Sequence, residues 1–235
     1  MPQSEIISLV TKDNVRIHGN YYPGGSGRGV LLLHMMPADR TSWIPFAGKL
    51  QEAGFHAFAI DLRGHGSSQG GPDGYKKFSD KEHQASFVDV EKAAEWFLKK
   101  GIEILHIAGA SIGANLAVQY GSKHPEDTAS MILLSPGLDY RGIRADVFVQ
   151  DLAAGQAVFF VASSRDVVSS AGQSAVEIAQ KLYDACPSRK DIRRFEGDEH
   201  GTRILEKYPE FMDELVEWLL ILRKEAPGAP YASAA

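Results

Sequence analysis

The sequence of 235 residues contains one cysteine, Cys186. A single cysteine forms no internal disulfide and supplies no cysteine-rich metal cluster, which excludes disulfide-stapled domains and favours a reducing compartment. No uncharged stretch approaches the length of a membrane span, and the N-terminus shows no basic region followed by an apolar segment. These absences predict a cytoplasmic protein with no membrane partner.

Positive charge is not in excess either. Lys and Arg total 25 against 30 Asp and Glu, a net charge of -5 at pH 7. Without a basic surface for phosphate backbones, no nucleic acid partner is expected. The composition of 44% hydrophobic and 23% charged residues is that of an ordinary globular protein. We expect one domain over residues 1–225 and a loose tail over 226–235, in which Pro, Gly and Ala dominate.

Short apolar runs alternate with segments of helical period. The clearest runs are 30–33, 57–60, 105–108, 131–134 and 158–161. Apolar side chains share one helical face in two segments, Phe87, Val90, Ala94, Phe97 and Phe211, Leu215, Leu219, Leu222. This alternation predicts an α/β fold with a mostly parallel central sheet and helices on both faces.

The first thirty residues follow a different pattern. Residues 5–11 and 15–22 alternate around Lys12-Asp13-Asn14, which predicts an antiparallel hairpin. The glycine-rich segment 24–29 resembles a phosphate-binding loop in composition only, because such loops follow a strand and open a helix. Here the segment precedes a strand, so a turn is expected rather than a nucleotide site.

A glycine-flanked serine is the first candidate for chemistry. The strand of residues 105–108 leads into Gly109-Ala110-Ser111-Ile112-Gly113 and then into a helix rich in small residues. This context is typical of a nucleophile elbow, which exposes the serine on a strained turn. Ser111 is therefore the predicted nucleophile, and the Ile112 N–H is a predicted oxyanion donor. The alternative is an ordinary glycine turn.

A serine nucleophile needs a base and an orienting carboxylate, and both follow in chain order. Asp166 comes after the predicted strand 157–162, and His200 comes after the candidate strand 191–195. Ser111, Asp166 and His200 are the predicted catalytic residues. Asp166 could instead cap a helix, and Asp139 is the alternative acid. His34 and His65 are rival histidines near the same edge, expected to brace loops.

With these residues in place, the sequence resembles the α/β-hydrolase family, in particular small serine esterases of the dienelactone-hydrolase-like and prolyl-oligopeptidase-like branches. The resemblance implies a sheet of about eight strands and a hydrolase with Ser111 as nucleophile, His200 as general base and acid, and Asp166 as orienting acid. The motifs that carry it are Leu31-Leu32-Leu33-His34 with Trp43, the segment from Asp61 to Ser68, the Gly109 to Gly113 elbow, Asp166-Val167-Val168, and His200-Gly201.

One position departs from the family pattern, which usually has His-Gly where this chain has His34-Met35. Alignment with the motif makes the backbone N–H of Met36 the second oxyanion donor beside Ile112. Met35 and Trp43 are candidate substrate-contacting side chains, with gap filling as the alternative for the methionine. No cofactor is expected, and no metal, because the segment around Asp61 and His65 lacks a further clustered ligand.

The predicted strands around residues 131–134 and 157–162 are separated by about twenty residues, Pro136 to Gln156, which leaves little material for a lid. An open cleft for small or short-acyl esters is therefore predicted, with hydrolysis through an acyl-enzyme. A thioesterase, amidase or peptidase could use the same residues. A catalytically silent ligand-binding or interaction protein is the non-enzymatic alternative. Either a monomer or a homodimer is expected.

Overall fold

A computed structural model describes residues 2–167 and 172–222. The tail predicted over 226–235 lies outside the described residues, and so does Val168 of the motif that begins at Asp166. Among the described helices, none has the length and apolar character needed to cross a bilayer.

An eight-stranded sheet forms the centre of the fold, in the order β1-β2-β4-β3-β5-β6-β9-β10. The strands are β1 (Glu5–Val10), β2 (Arg16–Tyr22), β3 (Arg28–Leu33), β4 (His56–Asp61), β5 (Ile104–Ala110), β6 (Thr128–Leu134), β7 (Asp139–Tyr140), β8 (Ile143–Arg144), β9 (Ala157–Ser163) and β10 (Arg189–Phe195). The β1–β2 and β2–β4 pairs are antiparallel and the remaining pairs of this sheet are parallel. The predicted N-terminal hairpin and mostly parallel sheet are confirmed.

Helices cover both faces of this sheet. They are α1 (Ile44–Glu52), α2 (Asp80–Gln84), α3 (Ser86–Leu98), α4 (Ile112–Lys123), α5 (Ala145–Phe148), α6 (Ala175–Ala185), α7 (Arg203–Lys207) and α8 (Phe211–Ile221), with 3-10 turns at Arg40–Trp43, Gly74–Lys77 and Val149–Asp151. Apolar residues of α3, α4 and α6 pack into one core cluster with one face of the sheet. Those of α1, α7 and α8 pack into a second cluster on the other face.

The segment between β6 and β9 contains a small hairpin that the sequence patterns do not indicate. Its strands β7 and β8 pair antiparallel, and α5 follows directly. The fully buried Asn115 of α4 holds both ends of this hairpin: its amide nitrogen donates to Ile143 O (2.8 Å) and its amide oxygen accepts from Gly137 N (3.1 Å). Because Asn115 lies one helical turn after Ser111, the hairpin is fixed next to the predicted nucleophile.

The glycine-rich segment 24–29 begins as a turn after β2 and enters β3 at Arg28. Gly25 and Ser26 both donate their N–H groups to the carbonyl oxygen of Gly54, at 3.1 and 3.0 Å. A side chain on Gly24 would collide with the backbone of Phe55. The turn therefore packs directly against the chain that enters β4.

Candidate active site

Ser111 lies at the junction of β5 and α4 with φ +54° and ψ −119°, a conformation that is strained for a residue with a side chain. Both neighbouring glycines are required for close packing. A Cβ on Gly109 would collide with the carbonyl oxygen of Gly113, and a Cβ on Gly113 would collide with that of Leu33. The serine backbone is held by Ser111 N donating to Leu134 O at 2.8 Å. These features are those of a nucleophile elbow.

Asp166 and His200 meet at the same edge of the sheet. The imidazole Nδ1 of His200 lies 2.8 Å from Asp166 Oδ2. Since an ionised carboxylate only accepts, Nδ1 carries the hydrogen and Nε2 is left to accept one. The Asp166 side chain is 7% exposed and that of His200 is 25% exposed. A buried carboxylate thus orients a histidine that remains partly exposed to solvent.

The loops that carry these two residues are joined to each other and to β6. Arg165 N donates to Gly197 O (2.7 Å) and Ser164 N donates to Phe195 O (2.8 Å). The hydroxyl of Ser135, just after β6, accepts from Gly201 N at 3.0 Å. Three loops from three neighbouring strands therefore set the position of the imidazole.

The histidine loop contacts both the elbow and the loop after β3. Gly201 has φ +58°, and a Cβ there would lie 2.6 Å from Met35 Sδ and 3.2 Å from Ala110 Cβ. Met35 is buried in the core on this face of the sheet. Its packing against the His200 loop favours the gap-filling role over substrate contact. Trp43 is fully buried beside Phe46, which likewise favours packing.

His34 fixes the loop that contains the predicted oxyanion donor Met36. Its Nε2 accepts from Leu62 N (3.0 Å), so Nδ1 carries the hydrogen and donates to Met35 O (2.9 Å). Burial lowers the pKa of His34 to about 4, so the ring is neutral at pH 7. The other predicted donor, Ile112 N–H, opens α4, where the first N–H groups have no partner within the helix.

A buried ion pair anchors the other end of this loop. The fully buried Asp61 accepts from Arg40 N (2.8 Å) and Ser67 N (2.7 Å) and pairs with the Arg40 guanidinium. Arg40 Nε also donates to Asn20 Oδ1 at 2.8 Å. The chain between His34 and Arg40 is therefore tied at both ends to the strand ends around it.

The rival residues have structural partners of their own. His65 stacks on Tyr75 at 4.3 Å between ring centroids, and its Nδ1 lies 3.0 Å from Arg63 O. Burial lowers the pKa of His65 to about 4. Asp139, the alternative acid, is exposed and accepts from Gly142 N at 2.6 Å, which closes the β7–β8 hairpin.

Tyr140 is a neighbour of Ser111 that sequence reasoning missed. Burial raises the pKa of its phenol to about 12, the Ser111 hydroxyl opposes this increase, and the charge of Asp166 adds to it. The hairpin that carries Tyr140 is tied to α4 through Asn115, one turn after Ser111, so the phenol lies near the predicted nucleophile. No motif marks Tyr140, because it arrives from the irregular hairpin after β6.

One cluster of metal-ligating groups occurs within the part of the chain that the structure describes. Ligand atoms of His124, Glu126 and Asp127 lie within 4.8 Å of one another. The cluster follows the C-terminal end of α4, whereas Ser111 precedes the N-terminal end of this helix. It is therefore separate from the candidate active site.

Comparison with known proteins gives the family. A model described as the alpha/beta hydrolase fold matches residues 29–193. The chain belongs to the α/β-hydrolase fold family, whose sheet and elbow it contains. The match includes Ser111 and Asp166 and ends before His200.

Individual relatives are distant. A monoacylglycerol lipase of Xenopus laevis is 28% identical over 118 residues, 49% of this chain and 33% of that protein. The aligned part thus spans about a third of that relative. An esterase from Pyrococcus furiosus superposes with a TM-score of 0.75 at 18% identity, covering 94% of this chain and 93% of that one. A dienelactone hydrolase from Anabaena variabilis superposes with a TM-score of 0.76 at 16% identity, covering 94% and 99%.

Proposed function

We propose that this protein is a serine hydrolase that cleaves small or short-acyl carboxylic esters through an acyl-enzyme. The observation that carries the proposal is the 2.8 Å contact between His200 Nδ1 and Asp166 Oδ2 at the sheet edge that presents Ser111 on a strained turn. A strained serine and an imidazole oriented by a carboxylate, on loops at one sheet edge, are two features of an activated hydroxyl nucleophile.

Acylation begins when His200 Nε2 takes the hydroxyl proton of Ser111 and the serine oxygen bonds to the ester carbonyl carbon. The carbonyl oxygen becomes an oxyanion that accepts hydrogen bonds from the backbone N–H groups of Met36 and Ile112. When the tetrahedral intermediate collapses, the bond to the alkoxy oxygen breaks and this oxygen takes the proton from His200. Asp166 stabilises the imidazolium that exists between the two transfers.

Deacylation repeats these steps with water. His200 Nε2 takes a proton from a water molecule, whose oxygen bonds to the acyl carbon while the same two N–H groups hold the oxyanion. The bond to Ser111 then breaks, and the serine oxygen recovers its proton from His200. The products are the carboxylic acid and the free enzyme.

The short segment between β6 and β9 supports a small substrate. It contains the hairpin of β7 and β8, whose strands have two residues each, and α5 with one 3-10 turn. Little apolar surface is therefore available to bury a long acyl chain. The names of the similar structures, an esterase and a dienelactone hydrolase, agree with an ester substrate. We also propose that residues 1–225 act as one domain without a large cap.

The test is hydrolysis of p-nitrophenyl esters from acetyl to dodecanoyl at neutral pH by the wild type and by Ser111→Ala. We expect turnover to peak at short chains and to fall at least about 10³-fold in the variant, because the nucleophile is lost. Ser122→Ala, on the same helix but three turns away, is the matched control and should retain full activity. Equal rates for wild type and Ser111→Ala would refute the mechanism, and rates rising to dodecanoyl would refute the small substrate.

A further inference from the structure

The β7–β8 hairpin holds Tyr140 rigidly beside Ser111. Asn115 of α4 fixes both ends of the hairpin, and Gln84 Nε2 donates to Arg141 O at its tip (3.0 Å). The tyrosine ring lies against the backbone of Gly137, where a Cβ would come within 2.7 Å of Tyr140 Cε2. The ring is therefore clamped between its own hairpin and the glycine.

The phenol oxygen of Tyr140 is buried and has no hydrogen-bond partner among the described residues. Buried tyrosine hydroxyls normally find a partner, because an unpaired polar group is costly. Asn115, which ties the hairpin to α4, donates its backbone N–H to Ser111 O at 3.3 Å, yet no hydrogen bond joins the phenol to the Ser111 hydroxyl. A hydrogen-bond donor without a partner is thus buried next to the predicted nucleophile.

Sheet order determines from which side Tyr140 approaches. The strand β5 that carries Ser111 lies between β3 and β6. The loop with Met36 follows β3, whereas Tyr140, Asp166 and His200 follow β6, β9 and β10 on the other side. In the proposed mechanism the carbonyl oxygen turns toward Met36 and Ile112, so the alkoxy oxygen turns toward His200. Tyr140 therefore lies on the leaving-group side.

Building on the proposed function, we infer that Tyr140 is a further catalytic residue whose phenol O–H donates a hydrogen bond to the alkoxy oxygen as its bond to the carbonyl carbon breaks. The proton that this oxygen finally gains is the one that left Ser111 and travelled through His200 Nε2. Tyr140 keeps its own proton throughout. The donor stabilises negative charge on the departing oxygen before the proton arrives.

The environment of Tyr140 fits a hydrogen-bond donor rather than a base. Burial raises the pKa of the phenol to about 12, so the group remains protonated across the neutral range. Because a departing oxygen of higher basicity carries more charge, the hydrogen bond matters most for esters of simple alkyl alcohols. It matters least for activated aryl esters. The inferred substrate class is therefore alkyl esters of short acids.

Two acetate esters test this inference, because they form the same acetyl-enzyme and differ only in the leaving group. We would measure kcat/KM of the wild type and Tyr140→Phe on ethyl acetate and on p-nitrophenyl acetate. The substitution keeps the ring against Gly137 and removes only the donor. We expect a loss of about 10- to 100-fold on ethyl acetate, the usual effect of one hydrogen bond to a charged oxygen, and less than about 3-fold on p-nitrophenyl acetate.

Two further variants separate positioning from folding. Gly137→Ala pushes the ring away without removing the hydroxyl and should lower the ethyl acetate rate selectively in the same way. Tyr183→Phe is the matched control; it lies near the end of α6 at the opposite edge of the sheet, packed on Phe160, and should leave both rates unchanged.

The outcomes distinguish this inference from the proposed function. Equal losses on the two esters in Tyr140→Phe, or no loss on either, would overturn the role of Tyr140 while Ser111-dependent turnover of the wild type stands. Wild-type turnover of both esters that is unaffected by Ser111→Ala would overturn the serine mechanism and the inference with it. A loss in Tyr140→Phe that is confined to ethyl acetate supports the serine mechanism and the role of Tyr140.

Discussion

The two sides of Ser111 are built differently. On the β3–β4 side, the loop with Met36 is fixed by two fully buried polar groups, His34 and Asp61, each with at least two hydrogen bonds. On the β6–β9–β10 side, three loops are joined mainly by backbone hydrogen bonds, and His200 is a quarter exposed.

This difference matches the two roles in the proposed mechanism, which are stabilisation of the oxyanion and proton transfer. Backbone donors for an oxyanion act only when they are held in place, because reorganisation would cost the stabilisation they provide. An imidazole that exchanges protons with serine, alcohol and water must remain accessible to each of them. Rigid burial suits the first side and partial exposure suits the second.

The largest effect should come from a substitution on the β6–β9–β10 side, which carries the predicted acid and base. We expect Asp166→Asn to lower kcat by about 10³- to 10⁴-fold, because the amide can donate to Nδ1 and favour the wrong imidazole tautomer. Steady-state kinetics on a short p-nitrophenyl ester measure this loss. Asp139→Asn is the matched control and should change kcat less than about 3-fold. A larger loss of kcat in Asp139→Asn than in Asp166→Asn would make Asp139 the acid.

A substitution on the β3–β4 side, which carries the predicted oxyanion donor Met36, should change the stability of the fold. Asp61→Asn leaves the Arg40 guanidinium without its buried counter-charge and should lower the free energy of unfolding by about 3 kcal/mol. Urea denaturation measures this change. Asp73→Asn removes the partner of Lys76 in an exposed pair and should cost less than about 0.5 kcal/mol. Similar losses in the two variants would contradict the rigid anchoring of the Met36 loop.

Acid should destabilise the fold, in part through two buried histidines near the Met36 loop. Burial lowers the pKa of His34 and of His65 to about 4, from 6.5. The unfolded chain therefore binds more protons than the folded one in this window, and stability falls as the pH drops from about 6.5 to 4. Unfolding free energies measured at several pH values should show this slope, and His65→Phe, which can still stack on Tyr75, should reduce it. An unchanged slope would mean that His65 does not titrate on unfolding.

The smallest effect is expected where one hydrogen bond positions the histidine loop. Ser135→Ala removes the acceptor of Gly201 N–H and should lower kcat about 3- to 10-fold with little change in KM, because the imidazole is held less well. Ser130→Ala is a matched control in β6, where the serine hydroxyl lies 2.8 Å from Nδ1 of the buried His106 ring. A loss of stability without a loss of kcat in Ser135→Ala would show that the contact serves folding alone.

Local patterns were sufficient to predict most of the architecture. The apolar runs at 30–33 and 131–134 lie inside β3 and β6, and the alternation around Lys12-Asp13-Asn14 gives the β1–β2 hairpin. The Gly-x-Ser-x-Gly segment predicted a turn with Ser111 in a strained conformation, which the structure has. Each of these features depends on residues within a few positions of one another, so periodicity and glycine spacing carry the information.

Contacts between distant parts of the chain were decided by tertiary structure alone. Sequence order left Asp139 and Asp166 as alternative acids, and only the folded loops bring Asp166 to His200, 34 positions away. The sequence left Met35 between substrate contact and gap filling, and only the folded loops place its thioether against Gly201. Tyr140 carries no motif, and it reaches Ser111 because Asn115 ties an irregular hairpin to α4. The sequence determined the elements and the order of the chemical groups, whereas their distances required the packing of all the strands, since each contact joins loops from different strands.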